Sequence, residues 1–183
     1  MKTVIVLRHA KSDWSDSALR DFDRGLNDRG YRAAATMGRW AALQKLNFDA
    51  VIASPAVRVI ETLRRFREAY GDCPAPVYDL RLYLASAGTI RDVLSETQEG
   101  HDSLLLAGHN PGLEEFILTA SDRESRPGLR HSVEIKFPTA ALAVLEFDVG
   151  RWTDLAPDME GRANLRAFVR PRDLDAALGP DRR

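Results

Sequence analysis

Three short apolar runs each end in residues suited to handling a phosphoryl group. Val4-Ile5-Val6-Leu7 is followed by Arg8-His9. Asp49-Ala50-Val51-Ile52-Ala53 is followed by Ser54-Pro55, with Arg58 one turn further on. Ser103-Leu104-Leu105-Leu106-Ala107 is followed by Gly108-His109. If these runs are parallel strands, two imidazoles and two guanidiniums emerge on one sheet edge. Protonated imidazoles among guanidiniums repel one another, whereas a dianionic phosphoryl group would hold all four together. The planar fork of arginine meets two phosphate oxygens at once and stays charged at any working pH. Histidine, with an ordinary pKa of about 6.5, keeps a free lone pair at neutral pH while its second nitrogen is held by a backbone carbonyl. Arg8, Arg58 and His109 can neutralise the equatorial oxygens and one imidazole can attack in line, with no metal ion required.

Other chemistries fit less well. Cys73 does not open a thiol-phosphatase loop, because the arginine needed six positions on is Asp79. Asp21-Phe22-Asp23 follows a polar stretch instead of a buried strand, unlike an aspartyl nucleophile. No Gly-x-x-x-x-Gly-Lys-Ser/Thr loop is present, and His101 and His109 lack helical metal-ligand spacing. Neither a metal nor a cofactor is expected.

The elements that must position these residues follow from periodicity. The three apolar runs read as strands buried on both faces. Residues 10–24 are polar and acidic and read as a long loop. A helix capped by Asn27 is expected through Leu46, with Tyr31, Ala34, Met37, Trp40 and Ala41 inward. Ser54 is expected to cap the next helix with Pro55 in its first position, continuing through Val57, Ile60, Leu63 and Phe66 to a break at 71–76. Residues 77–80 read as a short strand, 87–97 as a helix facing inward through Ile90, Val93 and Leu94, and 112–118 as another helix. Residues 134–137, 141–147 and 164–169 are strand-like, and 171–183 is expected to make one helical turn and then fray. The alternation predicts an α/β fold, a three-layer sandwich with a mainly parallel central sheet, whose ligands sit at the carboxyl ends of the strands.

The 183 residues fit a single domain, 1–183. A net charge of -1 supplies no overall field for nucleic acid or anionic lipid. A single cysteine and the short leading apolar run give the expectation of a cytoplasmic protein without signal or membrane segment. No exposed apolar stripe is evident, so a monomer is expected. Arg64-Arg65-Phe66-Arg67 reads as a solvated helix face, and Arg182-Arg183 as a disordered basic end.

At these residues the sequence resembles the histidine phosphatase superfamily, the phosphoglycerate-mutase-like proteins, and its short SixA-type branch associated with phosphohistidine phosphatase activity. The resemblance spans nearly the whole chain. It is carried by Leu7-Arg8-His9-Ala10-Lys11-Ser12-Asp13-Trp14, and by Asp21 to Gly30, where Gly25 stands in place of the branch's usual proline. Ser54-Pro55-Ala56-Val57-Arg58-Val59-Ile60-Glu61-Thr62, Gly108-His109-Asn110-Pro111 and Phe137-Pro138-Thr139-Ala140 complete it. It implies His9 as a nucleophile that becomes phosphorylated, Arg8, Arg58 and His109 around the phosphate, and no metal. Larger members carry a glutamate general acid in a Leu-x-Glu context, but here residues 80–86 contain no carboxylate. The loop after His9 offers Asp13, Asp16, Asp21 and Asp23, of which Asp21 is the candidate acid. A good leaving group such as the imidazole of phosphohistidine needs less help from an acid.

Individual residues keep plainer alternatives. Arg24 either closes over the phosphate or pairs with Asp21 or Asp28. His109 could simply cap the next helix. Trp14 either contacts substrate or anchors its loop, and Tyr83 reads as packing. The expected partner is a phosphorylated substrate, either a phosphohistidine protein or a small phosphate ester. The rival functions are a phosphate-dependent binding module with little turnover, and a phosphatase or mutase of small metabolites.

Overall fold

A computed structural model describes residues 1–123, 126–156 and 158–179. In chain order the regular elements are β1 (Lys2–Arg8), α1 (Asp28–Leu43), β2 (Ala50–Ala53), α2 (Val57–Tyr70), β3 (Pro76–Tyr78), α3 (Ala87–Ser95), β4 (Ser103–Gly108), α4 (Gly112–Ala120), α5 (Pro127–Ile135), β5 (Leu142–Phe147), β6 (Ala163–Val169) and α6 (Pro171–Leu174). The strands form one sheet in the order β3-β2-β4-β1-β5-β6. The first three pairings are parallel, while β5 runs against both of its neighbours.

Side chains alternate across a strand, so β1 feeds two cores at once. Val4 and Val6 face a layer with Ile90, Leu94, Phe116 and Ile117 of α3 and α4. Ile5 and Leu7 face Ala34, Met37, Leu63 and Phe66 of α1 and α2. The result is the expected α/β fold, three layers around a mainly parallel sheet. Each fully buried Leu or Phe side chain contributes about 1.5–3 kcal/mol relative to exposure.

Strand register sets the functional edge. Arg8 is level with Gly108, and Ala53 with Ala107, so β2, β4 and β1 end side by side. One residue further, Ser54 N–H donates to the Ala107 carbonyl and His9 N–H to that of Gly108. The antiparallel β5 brings the 136–141 segment to the same edge: Arg8 N–H donates to Ala141 O at 3.1 Å, and Ala140 N–H to His9 O at 3.0 Å. Ala140 holds φ 60, a left-handed conformation that disfavours side chains bearing a Cβ.

Two glycines allow close approaches that shape this edge. A Cβ on Gly30 would lie 2.3 Å from the Lys11 carbonyl oxygen, so only glycine lets α1 sit against the backbone just after His9. A Cβ on Gly112 would lie 1.8 Å from the Ala85 carbonyl oxygen, so α4 packs directly on the segment after Tyr83.

Several expected boundaries shift. Asn27 caps α1 as expected, its side chain accepting from Gly30 N–H, but the helix ends at Leu43 instead of Leu46. Ala34, Met37 and Ala41 are buried in it, with Tyr31 and Trp40 half-buried. Helix α2 starts at Val57 with Ala56 at its cap, so Ser54 and Pro55 are not its opening residues. Ser54 has another use, described below. The third short strand covers Pro76–Tyr78, after which Leu80–Leu82 tighten into a 3-10 turn. The 134–137 segment is not a strand: Glu134 and Ile135 complete α5, which begins at Pro127. Val133 and Phe137 are buried four residues apart, which is helical spacing running into a turn, with Glu134, Ile135 and Lys136 exposed between them. After β6, Pro171–Leu174 form the expected helical turn, followed by a 3-10 turn at Ala176–Leu178. Arg182 and Arg183 lie outside the described residues.

Candidate active site

The carboxyl ends of β1, β2 and β4 bring Arg8, His9, Arg58 and His109 together, as their positions at strand ends predict. The two imidazole rings have centroids 5.3 Å apart and are tilted by 55°. Arg58 and His109 are buried, His9 half-buried at the mouth.

Hydrogen bonds define which nitrogen of each histidine is free. His9 Nδ1 lies 2.8 Å from the Ala10 carbonyl, which can only accept, so Nδ1 carries the proton and Nε2 keeps its lone pair. The backbone after His9 is fixed as well: Ala10 N–H donates to Thr62 Oγ1 at 2.9 Å, and that hydroxyl donates to Arg58 O at 2.6 Å. His109 Nδ1 lies 3.3 Å from Arg58 Nη2, a group that can only donate. Its Nε2 therefore carries the proton and donates to Ser54 Oγ at 2.7 Å. Ser54 thus sets the tautomer of His109, a role hidden in the sequence by its resemblance to a helix cap.

Both imidazoles are neutral at physiological pH. Burial pushes His9 down to about 4; the Ala10 carbonyl opposes this, while Arg58 and Arg8 add to it. Burial, followed by the neighbouring His9 and Arg58, pushes His109 down to about 3. The cationic partners are the arginines. Arg8 Nη1 donates to Phe137 O at 2.8 Å, while its buried Nε has no hydrogen-bond partner. The Phe137 segment is tied to α4 by Glu114, whose Oε2 accepts from Phe137 N–H and Asn110 Nδ2, each at 3.1 Å. The Asn110–Pro111 peptide in this turn is cis. The amino end of α2, the positive end of its dipole, lies near the cluster, since Arg58 is the second residue of the helix and its guanidinium meets His109.

Asp21 is brought to the cluster, where its carboxylate meets Arg58 and Tyr83. Its Oδ2 accepts from Tyr83 Oη at 2.7 Å and from Arg58 Nη2 at 2.9 Å. The Tyr83 hydroxyl first, and then Arg58, hold its carboxyl below the usual carboxylate range, against the opposing effect of burial. Asp13 and Asp16 are exposed and spend a carboxylate oxygen on the backbone N–H of Ser15 and Ala18, and Asp23 pairs with Arg20. Arg24 is not brought to the cluster either. Its guanidinium donates to the Asp16 and Leu19 carbonyls, each at 2.9 Å, and stacks 4.3 Å from the Trp14 ring centroid. Of the two alternatives for Arg24, closing over the phosphate or pairing with Asp21 or Asp28, the structure shows neither: its guanidinium is bonded within its own loop, against the exposed Trp14 ring.

Tyr83 is the residue that sequence reasoning placed in packing and the fold places in the site. Its ring meets His109 edge-on at 5.5 Å and Phe22 at 5.0 Å, and its hydroxyl holds Asp21. The available signal was its position just beyond a strand end. Neighbouring Leu84 holds φ 50, which turns the chain there. Cys73 lies away from this edge in the loop after α2, where burial raises its thiol pKa and disfavours a reactive thiolate.

Residues 4–102 match the family model of the histidine phosphatase superfamily, branch 1. The chain belongs to the histidine phosphatase superfamily. Among relatives of this histidine phosphatase, the uncharacterized protein Rv1276c of Mycobacterium tuberculosis is 35% identical over 168 residues, covering 91% of this chain and 100% of the relative. The crystal structure of a proposed phosphohistidine phosphatase SixA from Agrobacterium tumefaciens superposes with a TM-score of 0.75 at 29% identity, over 92% of this chain and 97% of the other. A proposed SixA from Nakamurella multipartitia gives 0.77 at 28%, over 93% and 96%. These neighbours put the chain in the SixA-type branch, and family membership supports phosphatase activity.

Proposed function

We propose that this histidine phosphatase acts as one domain, without a metal ion, and hydrolyses a phosphomonoester or phosphohistidine through a phosphorylated His9. The observation that carries the reading is the tautomer of His9: Nδ1–H is held by the Ala10 carbonyl, leaving the Nε2 lone pair free on a ring that lies beside His109 and Arg58. Nε2 attacks phosphorus, the bond from phosphorus to the leaving group breaks, and the leaving atom departs with the electron pair. Arg8 and Arg58 offset the charge on the equatorial oxygens, and His109 adds a donor once the dianion raises its proton affinity. Water then attacks phospho-His9, releasing phosphate and restoring the neutral imidazole.

With Asp21 ionised, proton donation to the leaving group is weak, and substrates whose leaving group needs little help are favoured. Phosphohistidine is one. The same feature gives a second reading, a phosphate-dependent binding module with little turnover.

Rapid acid-free quenching with a radiolabelled phosphoramidate or aryl phosphate in EDTA decides between them. A base-stable, acid-labile phosphoenzyme that forms in the parent and not in His9→Ala is expected. Turnover that persists in His9→Ala would falsify the nucleophile assignment. Binding of phosphate without release of phosphate from any substrate would leave the binding module.

A further inference from the structure

Thr62 stands one turn along α2 from Arg58 and is fully buried, on a helix whose other inward residues Val59, Leu63 and Phe66 are apolar. Burying a hydroxyl costs free energy that valine, of nearly the same shape, avoids, so packing alone does not select threonine there. The hydroxyl has two partners. It donates to the Arg58 carbonyl at 2.6 Å, the local habit of a threonine inside a helix. It also accepts Ala10 N–H at 2.9 Å, a bond that leaves the helix and reaches the segment just after β1.

Ala10 is the residue whose carbonyl lies 2.8 Å from His9 Nδ1 and sets its tautomer. Four hydrogen bonds hold the backbone around that carbonyl: His9 N–H to Gly108 O, Ala140 N–H to His9 O, Ala10 N–H to Thr62 Oγ1, and Asn27 N–H to Lys11 O. Three of them join backbone to backbone. The Thr62 bond ends on a side chain, so one substitution removes it and leaves the backbone groups in place. It also ends on the helix that carries Arg58. A shift of α2 along its axis would therefore move Arg58 and break the Ala10 bond together.

We infer that Thr62 is a positioning residue: its hydroxyl fixes Ala10 against the helix that carries Arg58, and so holds the His9 ring in its Nδ1–H tautomer with Nε2 aligned on a phosphoryl group. The assignment rests on the phosphoryl transfer proposed at His9. Without the hydroxyl, the buried Ala10 N–H has no acceptor, and the residue must turn to find one. Turning residue 10 moves the carbonyl that fixes the ring. The Arg58 guanidinium meanwhile keeps Asp21 and His109 as partners. The loss therefore falls on the rate of phosphoryl transfer and not on the affinity for phosphate.

The test compares Thr62→Val, which removes the hydroxyl at nearly constant shape, with Thr62→Ser, which keeps it, both in the full-length protein. Phosphoenzyme formation from a radiolabelled phosphoramidate, followed by quenched flow, should slow about tenfold or more in Thr62→Val, while the Kd for inorganic phosphate stays within about twofold of the parent. Thr62→Ser should remain within about threefold of the parent rate. Nitrogen NMR of protein carrying isotope-labelled histidine should show His9 protonated on Nδ1 alone in the parent and in Thr62→Ser, and a mixture of tautomers in Thr62→Val. Leu155→Ala controls for stability. Leu155 is buried in the turn with Trp152, whose Nε1–H donates to the His101 carbonyl ahead of β4, at the sheet edge opposite the site. Either the parent rate or an unmixed His9 tautomer in Thr62→Val overturns the assignment. So does a rate loss that Leu155→Ala reproduces at an equal urea midpoint. Turnover without a phosphoenzyme in the parent, with tautomer mixing still confined to Thr62→Val, instead sinks the proposed nucleophile and leaves Thr62 as the residue that positions the ring.

Discussion

Arg58 Nη2 is shared between the Asp21 carboxylate, 2.9 Å away, and His109 Nδ1, 3.3 Å away. The carboxylate therefore occupies a donor that the proposed reaction needs for a phosphoryl oxygen. An anion entering the site has to displace Asp21 or share Arg58 with it, and two anions on one guanidinium compete.

Asp21→Asn separates this competition from acid catalysis. If the carboxylate blocks Arg58, neutralising it lowers KM for an aryl phosphate several-fold, by roughly 1 kcal/mol, and lowers kcat little. An essential proton donor would instead lose about 10²-fold or more in kcat. Steady-state kinetics on a substrate with a poor leaving group distinguishes the two.

Ser54→Ala removes the acceptor that His109 Nε2–H uses inside the site. A buried N–H left without a partner costs about 1–3 kcal/mol, which a urea melt will read as a lower midpoint at unchanged slope. His109 would also be free to take its other tautomer, so turnover should drop more than binding of phosphate. Ser54→Thr, which keeps a hydroxyl, should recover part of both.

The histidines make stability depend on pH with a definite sign. Unfolded imidazoles titrate at about 6.5, while the folded values are lowered to about 4 for His9 and about 3 for His109. As pH falls below about 6.5 the unfolded chain takes up protons that the native state refuses, so stability declines across the interval down to about 4. Urea midpoints measured between about pH 7 and about pH 4.5 should fall, and a His9→Gln/His109→Gln variant should show a flatter decline. A bound phosphate dianion should oppose the loss, because it raises the proton affinity of both rings.

Gly30→Ala and Gly112→Ala should each destabilise the fold by about 2–4 kcal/mol, because the added methyl meets a backbone carbonyl and not a movable side chain. Denaturant melts give the size of the loss. If either variant is as stable as the parent, the close approach of α1 to Lys11 or of α4 to Ala85 is wrong. Gly100→Ala, which has open space at the new methyl, is the control.

Much of this site was legible in the sequence because it sits where apolar runs stop. Arg8, His9 and His109 follow strands whose uninterrupted Val, Ile and Leu content leaves little choice of structure. Arg58 was recoverable from its spacing after Ser54-Pro55. What periodicity cannot report is which donor meets which acceptor. Ser54 carries a cap signature yet bonds a histidine from another strand, and Tyr83 looked like packing until the Leu84 turn aimed it at Asp21. The 134–137 segment reads as strand-like from its residue types, but the inward residues Val133 and Phe137 are spaced as on a helix that ends at Ile135. Arg24 and Asp21 share one loop, and only its three-dimensional closure shows that the arginine serves the loop while the aspartate reaches the site.

The antiparallel placement of β5 also fixes when the site can exist. Arg8 reaches across 129 positions of sequence to the Phe137 carbonyl, and His9 receives Ala140 N–H from equally far along the chain. During synthesis, His9 leaves the ribosome long before the segment that pairs with it. A nascent chain thus carries His9 without the enclosure that keeps it neutral and aligned, and competence arrives only when the last third has paired with β1. Sequence order thus places the completion of the site late in synthesis.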